Sequence, residues 1–167
     1  MSSPSVPVEV VVLYWSWSAA MQGHDWKPIS NAEGAAIGRR LRILLADDNP
    51  ELRRQVAGAL EPDFEIVATA GDGRQLLDEF ERCHPDVVVT DISMPVMDGF
   101  EAAAELQQRG RPPVVFFTVH EDAAFFAEAR AVGGLGYVLK RSPPSVLARA
   151  IRSAHEGIFF SSEGQRG

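Results

Sequence analysis

Thirteen residues decide the fold that this sequence predicts: Val87-Val-Val-Thr-Asp-Ile-Ser-Met-Pro-Val-Met-Asp-Gly99. The stretch begins with a β-branched run, which is typical of a strand that is covered on both faces of a parallel sheet. Asp91 follows this run directly, so we expect its carboxylate where the strand leaves the sheet. Met94-Pro95 and Asp98-Gly99 are turn signals, which place Asp91 beneath a surface loop.

Strand-like and helix-like segments alternate through the rest of the chain. The predicted strands are Leu41–Ala46, Phe64–Ala70, Val87–Thr90, Val114–Thr118 and Gly136–Lys140. The predicted helices are Glu51–Leu60, Arg74–Cys83, Phe100–Arg109, Glu121–Val132 and Pro144–Glu156. This alternation predicts an α/β domain with a doubly wound, five-stranded parallel sheet, right-handed crossovers and helices on both faces.

The two ends of the chain differ in composition from this regular part. Residues 1–40 carry Ser and Pro, an aromatic cluster and a polar stretch, so we expect a disordered or irregular extension. The valine-rich stretch Val8–Val12 leaves open a strand that pairs with a sheet edge or a partner. We expect the domain at 41–158 and a tail or the start of a linker at 159–167.

Composition excludes several classes of protein. The formal net charge of −7 and the pI near 5.1 argue against direct nucleic-acid binding, which needs concentrated Lys and Arg. Cys83 is the only cysteine of the sequence, which excludes an intramolecular disulfide and fits a reducing compartment. The longest apolar stretch, near Val10–Trp17, is shorter than the roughly 20 residues that span a bilayer. Because the first residues also lack the basic region of a signal peptide, we expect a cytoplasmic protein without a membrane anchor.

The candidate functional residues follow four of the predicted strands. Asp47 and Asp48 follow the first strand, Asp91 the third, Thr118 ends the fourth and Lys140 ends the fifth. In doubly wound sheets, ligands bind outside the carboxyl ends of the strands, so we expect these side chains in one pocket. Converging carboxylates need a cation to stay ionised, and oxygen ligands without His or Cys favour Mg²⁺. Taken singly, each has a structural alternative: a helix cap for the acid pair, a strand former or a solvated strand end for the others.

The lysine and the threonine add a second chemistry to the acids. Lys140 offers a positive charge on a flexible stem, which suits a phosphoryl oxygen, and Thr118 can donate a hydroxyl hydrogen bond to another. Together with a metal they form a site that could receive a phosphoryl group on a carboxylate. His24 and His120 are expected to be solvated polar residues, not ligands.

Four motifs carry a resemblance to a known family. From Leu41 to about Ser162 the chain resembles the receiver domain of bacterial two-component response regulators. The motifs are Leu44-Leu-Ala-Asp-Asp48, Val89-Thr-Asp-Ile-Ser-Met-Pro-Val-Met-Asp-Gly99, Val115-Phe-Phe-Thr118 and Gly136-Tyr-Val-Leu-Lys140. The resemblance implies the flavodoxin-like strand order 2-1-3-4-5.

The same resemblance implies roles for individual residues. Asp91 would be the phospho-acceptor. Asp48 would bind Mg²⁺ directly, Asp47 mainly through water, and Ser93 through its backbone carbonyl. Thr118 and Lys140 would contact the phosphoryl group. Tyr137 matches the aromatic residue that swings inward in the family as the threonine moves.

Two departures from the family pattern and one pair of variable positions stand close to these residues. The lysine is followed by Arg141-Ser142-Pro143-Pro144, which resembles the subgroup that precedes a helix-turn-helix output domain. Val119 is bulkier than the residue usual after the threonine, and we expect it to narrow access to the phosphoryl group. Ser93 and His120 match variable positions that tune dephosphorylation in the family.

The resemblance implies a phosphorylation-dependent signalling switch, not an enzyme with a turnover of its own. Its partners would be a sensor histidine kinase or phosphotransfer protein, with a possible homodimer. The sequence ends without a basic helix-turn-helix, so we expect a stand-alone or truncated receiver. Two alternatives stay open: a degenerate receiver that binds proteins without phosphorylation, and a haloacid-dehalogenase-type phosphohydrolase, which needs a second acid where Ser93 stands.

Overall fold

The computed structural model describes residues 39–163, so the predictions for 1–38 and 164–167 lie outside the described residues. Strands and helices alternate along this part of the chain. The strands are β1 Arg42–Ala46, β2 Glu65–Ala70, β3 Val87–Thr90, β4 Val114–Thr118, β5 Gly136–Leu139 and β6 Phe160–Ser161. The helices are α1 Pro50–Leu60, α2 Gly73–Cys83, α3 Gly99–Gln108, α4 Ala123–Ala131 and α5 Pro144–His155.

The strands form one parallel sheet in the order β2-β1-β3-β4-β5-β6. The predicted flavodoxin-like order 2-1-3-4-5 is therefore confirmed. The structure adds a sixth strand beside β5, where we predicted only a tail or linker. Its two residues pair with Gly136 and Tyr137. A strand of two residues is too short to show an alternation of apolar and polar residues in the sequence. The prediction of five strands therefore missed this one.

Two apolar layers cover the faces of this sheet, and alternate residues of each strand point to opposite layers. On one face Leu44 and Ala46 pack with α2, α3 and part of α4, and on the other Ile43 and Leu45 pack with α1 and α5. Because β1, β3, β4 and β5 lie between both layers, their residues are almost all buried. This burial explains why apolar runs, not alternating patterns, marked these strands in the sequence.

Local signals explain where the helices begin. Asn49 caps α1, its side chain accepting hydrogen bonds from the amides of Glu51 and Leu52, and Pro50 occupies the first turn. Asp98 and Glu101 form a reciprocal capping box at the start of α3. The predicted boundaries hold to within about two residues, which is the ordinary uncertainty of helix ends. None of the helices between residues 39 and 163 is long and apolar enough to cross a membrane.

Candidate functional site

The carboxyl ends of the strands bring the predicted residues together at one edge of the sheet. Asp47, Asp91, Thr118 and Lys140 are buried, each at most 6% exposed, whereas Asp48 is exposed. Neighbouring strands hold them in register: Asp91 N–H donates to Ala46 O (2.9 Å) and Lys140 N–H to Thr118 O (2.8 Å). The parallel sheet thus converts residues far apart in the sequence into one pocket.

Lys140 joins two of the acids. Its Nζ lies 2.7 Å from Asp47 Oδ2 and 2.7 Å from Asp91 Oδ2. Burial works against the charged ammonium, but Asp91 and Asp47 together outweigh it, so the pKa of Lys140 is raised above its ordinary value. Lys140 therefore carries a positive charge at neutral pH.

The pocket nevertheless holds more negative than positive charge. Ligand oxygens of Asp47, Asp48 and Asp91 lie within 4.8 Å of one another. Burial raises the pKa of Asp91, and the Asp47 carboxylate adds to this rise, while Lys140 offsets only part of it. Burial and Asp47 likewise raise the pKa of Asp48. Both shifts mean that the ionised acids are destabilised in this arrangement.

The donor set fits a hard divalent cation. Three carboxylates offer only oxygen ligands, and a cation between them would relieve the repulsion that raises the two pKa values. Asp47 already has donors on both oxygens, because Oδ2 contacts Lys140 and Oδ1 accepts the amide of Asn49 at 2.8 Å. Asp48 faces solvent. Asp48 is therefore more accessible to a metal ion than Asp47.

The loop after β3 is fixed next to Asp91 at both ends of the loop. Asp91 Oδ1 accepts the amide of Ile92 at 2.7 Å, and Gly99 N–H donates to Ile92 O at 2.7 Å. A Cβ atom on Gly99 would overlap the carbonyl oxygen of Asp91. Glycine is required there because the start of α3 touches the backbone of the candidate acceptor.

Within this loop, Val96 has an unusual backbone conformation. Its φ is +70°, and Met97 N–H donates to Pro95 O across it at 2.7 Å. Such a narrow turn is strained for a β-branched residue. Val96 is 83% exposed, so packing of its side chain does not compensate. The turn signals of the sequence located the loop but did not reveal this strain.

Tyr137 connects the pocket to the neighbouring helix. Its ring is 2% exposed, and its hydroxyl donates to His120 O at 2.7 Å. The amide of His120 in turn donates to Thr118 Oγ1 at 3.2 Å. Burial, with the nearby charges of Asp122 and Glu163, raises the pKa of Tyr137 to about 12, so its hydroxyl stays a donor at neutral pH. Thr118 and Tyr137 are thus linked through one residue of the β4–α4 loop.

His120 is more than the solvated polar residue that we predicted. Its ring stacks on Phe125 with centroids 4.0 Å apart and planes 2° apart. Its Nε2 shares a hydrogen bond of 2.8 Å with the Ser93 hydroxyl. His120 is therefore half-buried between the loop after Asp91 and helix α4, so its ring is less solvated than we predicted, while its not being a ligand stays a prediction. No periodic signal marks such a contact, because it joins two loops. His24 lies outside the described residues.

An open groove of about 670 Å³ adjoins the pocket. Asp48, Ser93 and Met94 line one part of it, and Phe125 and Glu128 of α4 line another. Val119 is 52% exposed at the same edge. The groove reaches Asp48, the solvent-facing acid of the three. The predicted narrowing of access by Val119 stays a prediction.

The described chain resembles known proteins in its sequence and in its fold. The model of the response regulator receiver domain matches residues 43–152. The transcriptional regulatory protein DegU of Brevibacillus brevis is 32% identical over 71% of this chain and 51% of its own length. The transcriptional regulatory protein PdtaR of Mycobacterium tuberculosis is 35% identical over 76% of this chain and 61% of its own.

A solved structure of a LuxR-family two-component response regulator from Aurantimonas agrees with this likeness. It superposes with a TM-score of 0.70 at 33% identity, and the match covers 73% of this chain and 89% of that one. The matches to DegU and PdtaR span only about half to three fifths of those proteins. The likeness therefore concerns the receiver part of such regulators, and it does not favour the phosphohydrolase alternative.

Proposed function

We propose a phosphoryl-accepting role for this chain, which belongs to the family of response regulator receiver domains of two-component signalling. One observation carries the proposal: Lys140 Nζ lies 2.7 Å from both Asp91 and Asp47, beside the solvent-facing Asp48. A buried nucleophilic carboxylate, a lysine and an acid pair are the groups that phosphoryl transfer to aspartate needs.

The transfer itself would begin at Asp91. A carboxylate oxygen attacks the phosphorus atom of a phosphohistidine, and the new P–O bond forms as the P–N bond breaks. The electron pair of that bond stays with the imidazole nitrogen of the donor. Lys140 lies within contact distance of Asp91 Oδ2, where it would neutralise an oxygen of the transferred group.

Four groups of the pocket would hold Mg²⁺, three of them directly and one through water. We assign direct binding to Asp48 and Asp91, and binding through water to Asp47, because both oxygens of Asp47 already have donors. The backbone carbonyl of Ser93 would complete the protein ligands. The ion supplies positive charge that neutralises the oxygens of the transferring group.

Thr118 and Tyr137 would change their arrangement when Asp91 is phosphorylated. The Thr118 hydroxyl, buried at the end of β4, would donate to a phosphoryl oxygen. Its link through His120 to Tyr137 supports a concerted adjustment of both residues. This is a switch in which a local change of charge selects between two arrangements of the chain.

The same proposal extends to the protein's surroundings. The phosphoryl donor would be a sensor histidine kinase or a phosphotransfer protein. The protein would be located in the cytoplasm, because the single free thiol of Cys83 is compatible with a reducing compartment. A homodimer through α1 and α5, or through α4 and α5, is the assembly that we propose to examine. The sequence charge of −7 supports a domain that does not itself bind nucleic acid.

The proposal is tested by intact mass after incubation of the full chain with acetyl phosphate and Mg²⁺. We expect one added phosphoryl group on the native chain and none on Asp91→Asn. Asp78→Asn, an exposed acid on α2, is the matched control and should be labelled normally. Equal labelling of Asp91→Asn would refute Asp91 as the acceptor. No labelling of the native chain would favour the degenerate receiver instead.

A further inference from the structure

We infer that the docking of residues 159–163 on the sheet is coupled to phosphorylation of Asp91. This stretch, here called the docked segment, includes β6 and forms the last part of the described chain. The inference rests on the proposed function and adds its regulation. It makes the docked segment the part of the chain that senses the state of the pocket.

Backbone hydrogen bonds attach the docked segment to β5. Phe160 N–H donates to Leu135 O at 3.0 Å, and Ser162 N–H donates to Tyr137 O at 3.0 Å. In the opposite direction, Leu139 N–H donates to the Ser162 hydroxyl at 3.0 Å. The segment thus satisfies the outer edge of β5 along the length of that strand. One of its acceptors is the backbone of the proposed switch residue, Tyr137.

Side chains add a second attachment, to α4. Phe159 meets Phe126 edge to face at 5.7 Å between centroids, and the guanidinium of Arg130 lies 4.0 Å above the Phe159 ring. Phe126 meets the Tyr137 ring in the same way at 5.4 Å. Phe126 therefore contacts both the docked segment and the switch residue.

From Tyr137 the contacts continue into the pocket. Its hydroxyl binds His120 O, and His120 contacts Thr118 through its amide and Ser93 through its ring. A shorter connection runs through Arg141, the residue after Lys140, which pairs with Glu163 at 2.7 Å. Two connections thus join the docked segment to the residues around Asp91.

The direction of the coupling follows from these contacts. The docked segment packs on Phe126 and binds the backbone of Tyr137, so docking favours the arrangement in which the tyrosine ring is buried against His120. In that arrangement Tyr137 holds the loop that positions Thr118 at the pocket. Thr118, which would donate to the phosphoryl group, is linked through His120 to Tyr137, so phosphorylation would favour the same arrangement. Linkage then requires docking to favour phosphorylation by the same factor.

Amide hydrogen exchange of the full chain tests this reciprocity. On phosphorylation by acetyl phosphate and Mg²⁺, we expect exchange of the Phe160 and Ser162 amides to slow by a factor of at least about five. This factor is the lower end of the range common for coupled sites. In Phe159→Ala, exchange of these amides should be faster, and the steady-state fraction of phosphorylated protein lower. Ser162→Ala, which removes only the acceptor of the Leu139 amide, should act in the same direction but less.

Ile158→Ala is the matched control. Ile158 precedes the docked segment and is 56% exposed, so its truncation should alter neither measurement. Exchange of the α2 amides in each variant establishes that the domain is folded. If intact mass shows the phosphoryl group but the Phe160 and Ser162 amides exchange as before or faster, the coupling is refuted while the proposed function stands. If the mass shows no phosphoryl group on the native chain, both are refuted.

Discussion

Helices α2 and α4 cover the same face of the sheet, yet they are attached to it very differently. Helix α2 buries Leu76, Leu77 and Phe80, and its N-cap Asp72 accepts the amide of Gln75. Helix α4 buries only Ala129 completely, and its N-cap Asp122 makes no side-chain hydrogen bond. The difference indicates that the α2 part of this layer is tightly held, while the α4 part, next to Tyr137, can adjust.

The side chains of the two helices explain the contrast. Helix α2 carries large aliphatic residues on one stripe, which fill the layer over β1 and β2. Helix α4 is rich in alanine, and its two phenylalanines are only partly buried. Because local stability follows buried apolar contact, α4 belongs to the less stable part of the described domain.

Truncation of buried side chains should give the largest effects. We expect Leu77→Ala in α2 to lower the free energy of unfolding by about 2–5 kcal/mol, because it leaves a cavity in the core. Phe125→Ala in α4 should cost roughly 1 kcal/mol, since a half-buried ring contributes about half the value of a fully buried one. Urea denaturation of both variants measures the difference. Equal losses would contradict the contrast between the helices.

Charge removal in the pocket at the carboxyl ends of the strands should have the next effect. Burial raises the pKa of Asp91 above 3.8, so the stability contributed by its protonated form is fully present below that pH and lost as pH rises through the raised value. Asp91→Asn should therefore be more stable than the native chain at about pH 7, because asparagine carries no charge that burial would destabilise. The advantage should shrink towards about pH 5.

Thermal unfolding of both proteins at the two pH values, with and without Mg²⁺, measures this difference. Saturating Mg²⁺ should stabilise the native chain more than Asp91→Asn, since the ion would relieve the repulsion among the acids. A native chain that is more stable than the variant at neutral pH without metal would contradict the balance of burial over attraction by Lys140.

The sequence predicted the pocket better than it predicted the contrast between the helices. Strand ends are marked by apolar runs that stop at Asp47, Asp91 and Lys140, and a parallel sheet places all such ends at one edge. Family motifs then suggested the roles of these residues. Which of several amphipathic helices is tightly held depends on packing between distant segments, which no local pattern contains.

Two of the missed features, β6 and the burial of His120, share this cause. β6 forms because two residues pair with the outer edge of β5. His120 is half-buried because Phe125 and Ser93 lie on either side of it. Neither contact has a period in the sequence. The positive φ of Val96 was missed for a different reason, because valine is among the residues least typical of that conformation.

Capping provides a smaller and closely matched test. Asp72→Ala removes both a negative charge and a hydrogen bond from the start of α2, whereas Asp122→Ala removes only a charge from the start of α4. We therefore expect Asp72→Ala to lower stability by about 1 kcal/mol more than Asp122→Ala. Chemical denaturation of the pair measures the difference, and indistinguishable midpoints would show that the cap of α2 contributes nothing.

The smallest expected effect concerns the loop that supports α2. Gly73 N–H donates to Met97 O at 3.0 Å, so the strained turn at Val96 contacts the beginning of this helix. Val96→Gly should relieve the positive φ and raise stability by up to about 1 kcal/mol, after the entropy cost of glycine. Ile158→Gly, at an exposed residue without a positive φ, should instead lower stability. Differential scanning calorimetry distinguishes the two signs.

The close approach of Gly99 to Asp91 also bears on how this domain can be engineered. Because the Gly99 amide binds Ile92 O and leaves no room for a side chain against Asp91, the loop between them begins and ends at nearly the same point. The residues between them form a loop whose two ends are held close together. Substitutions at the exposed residues Pro95 and Val96 should therefore leave the acceptor in place, provided that the glycine is retained.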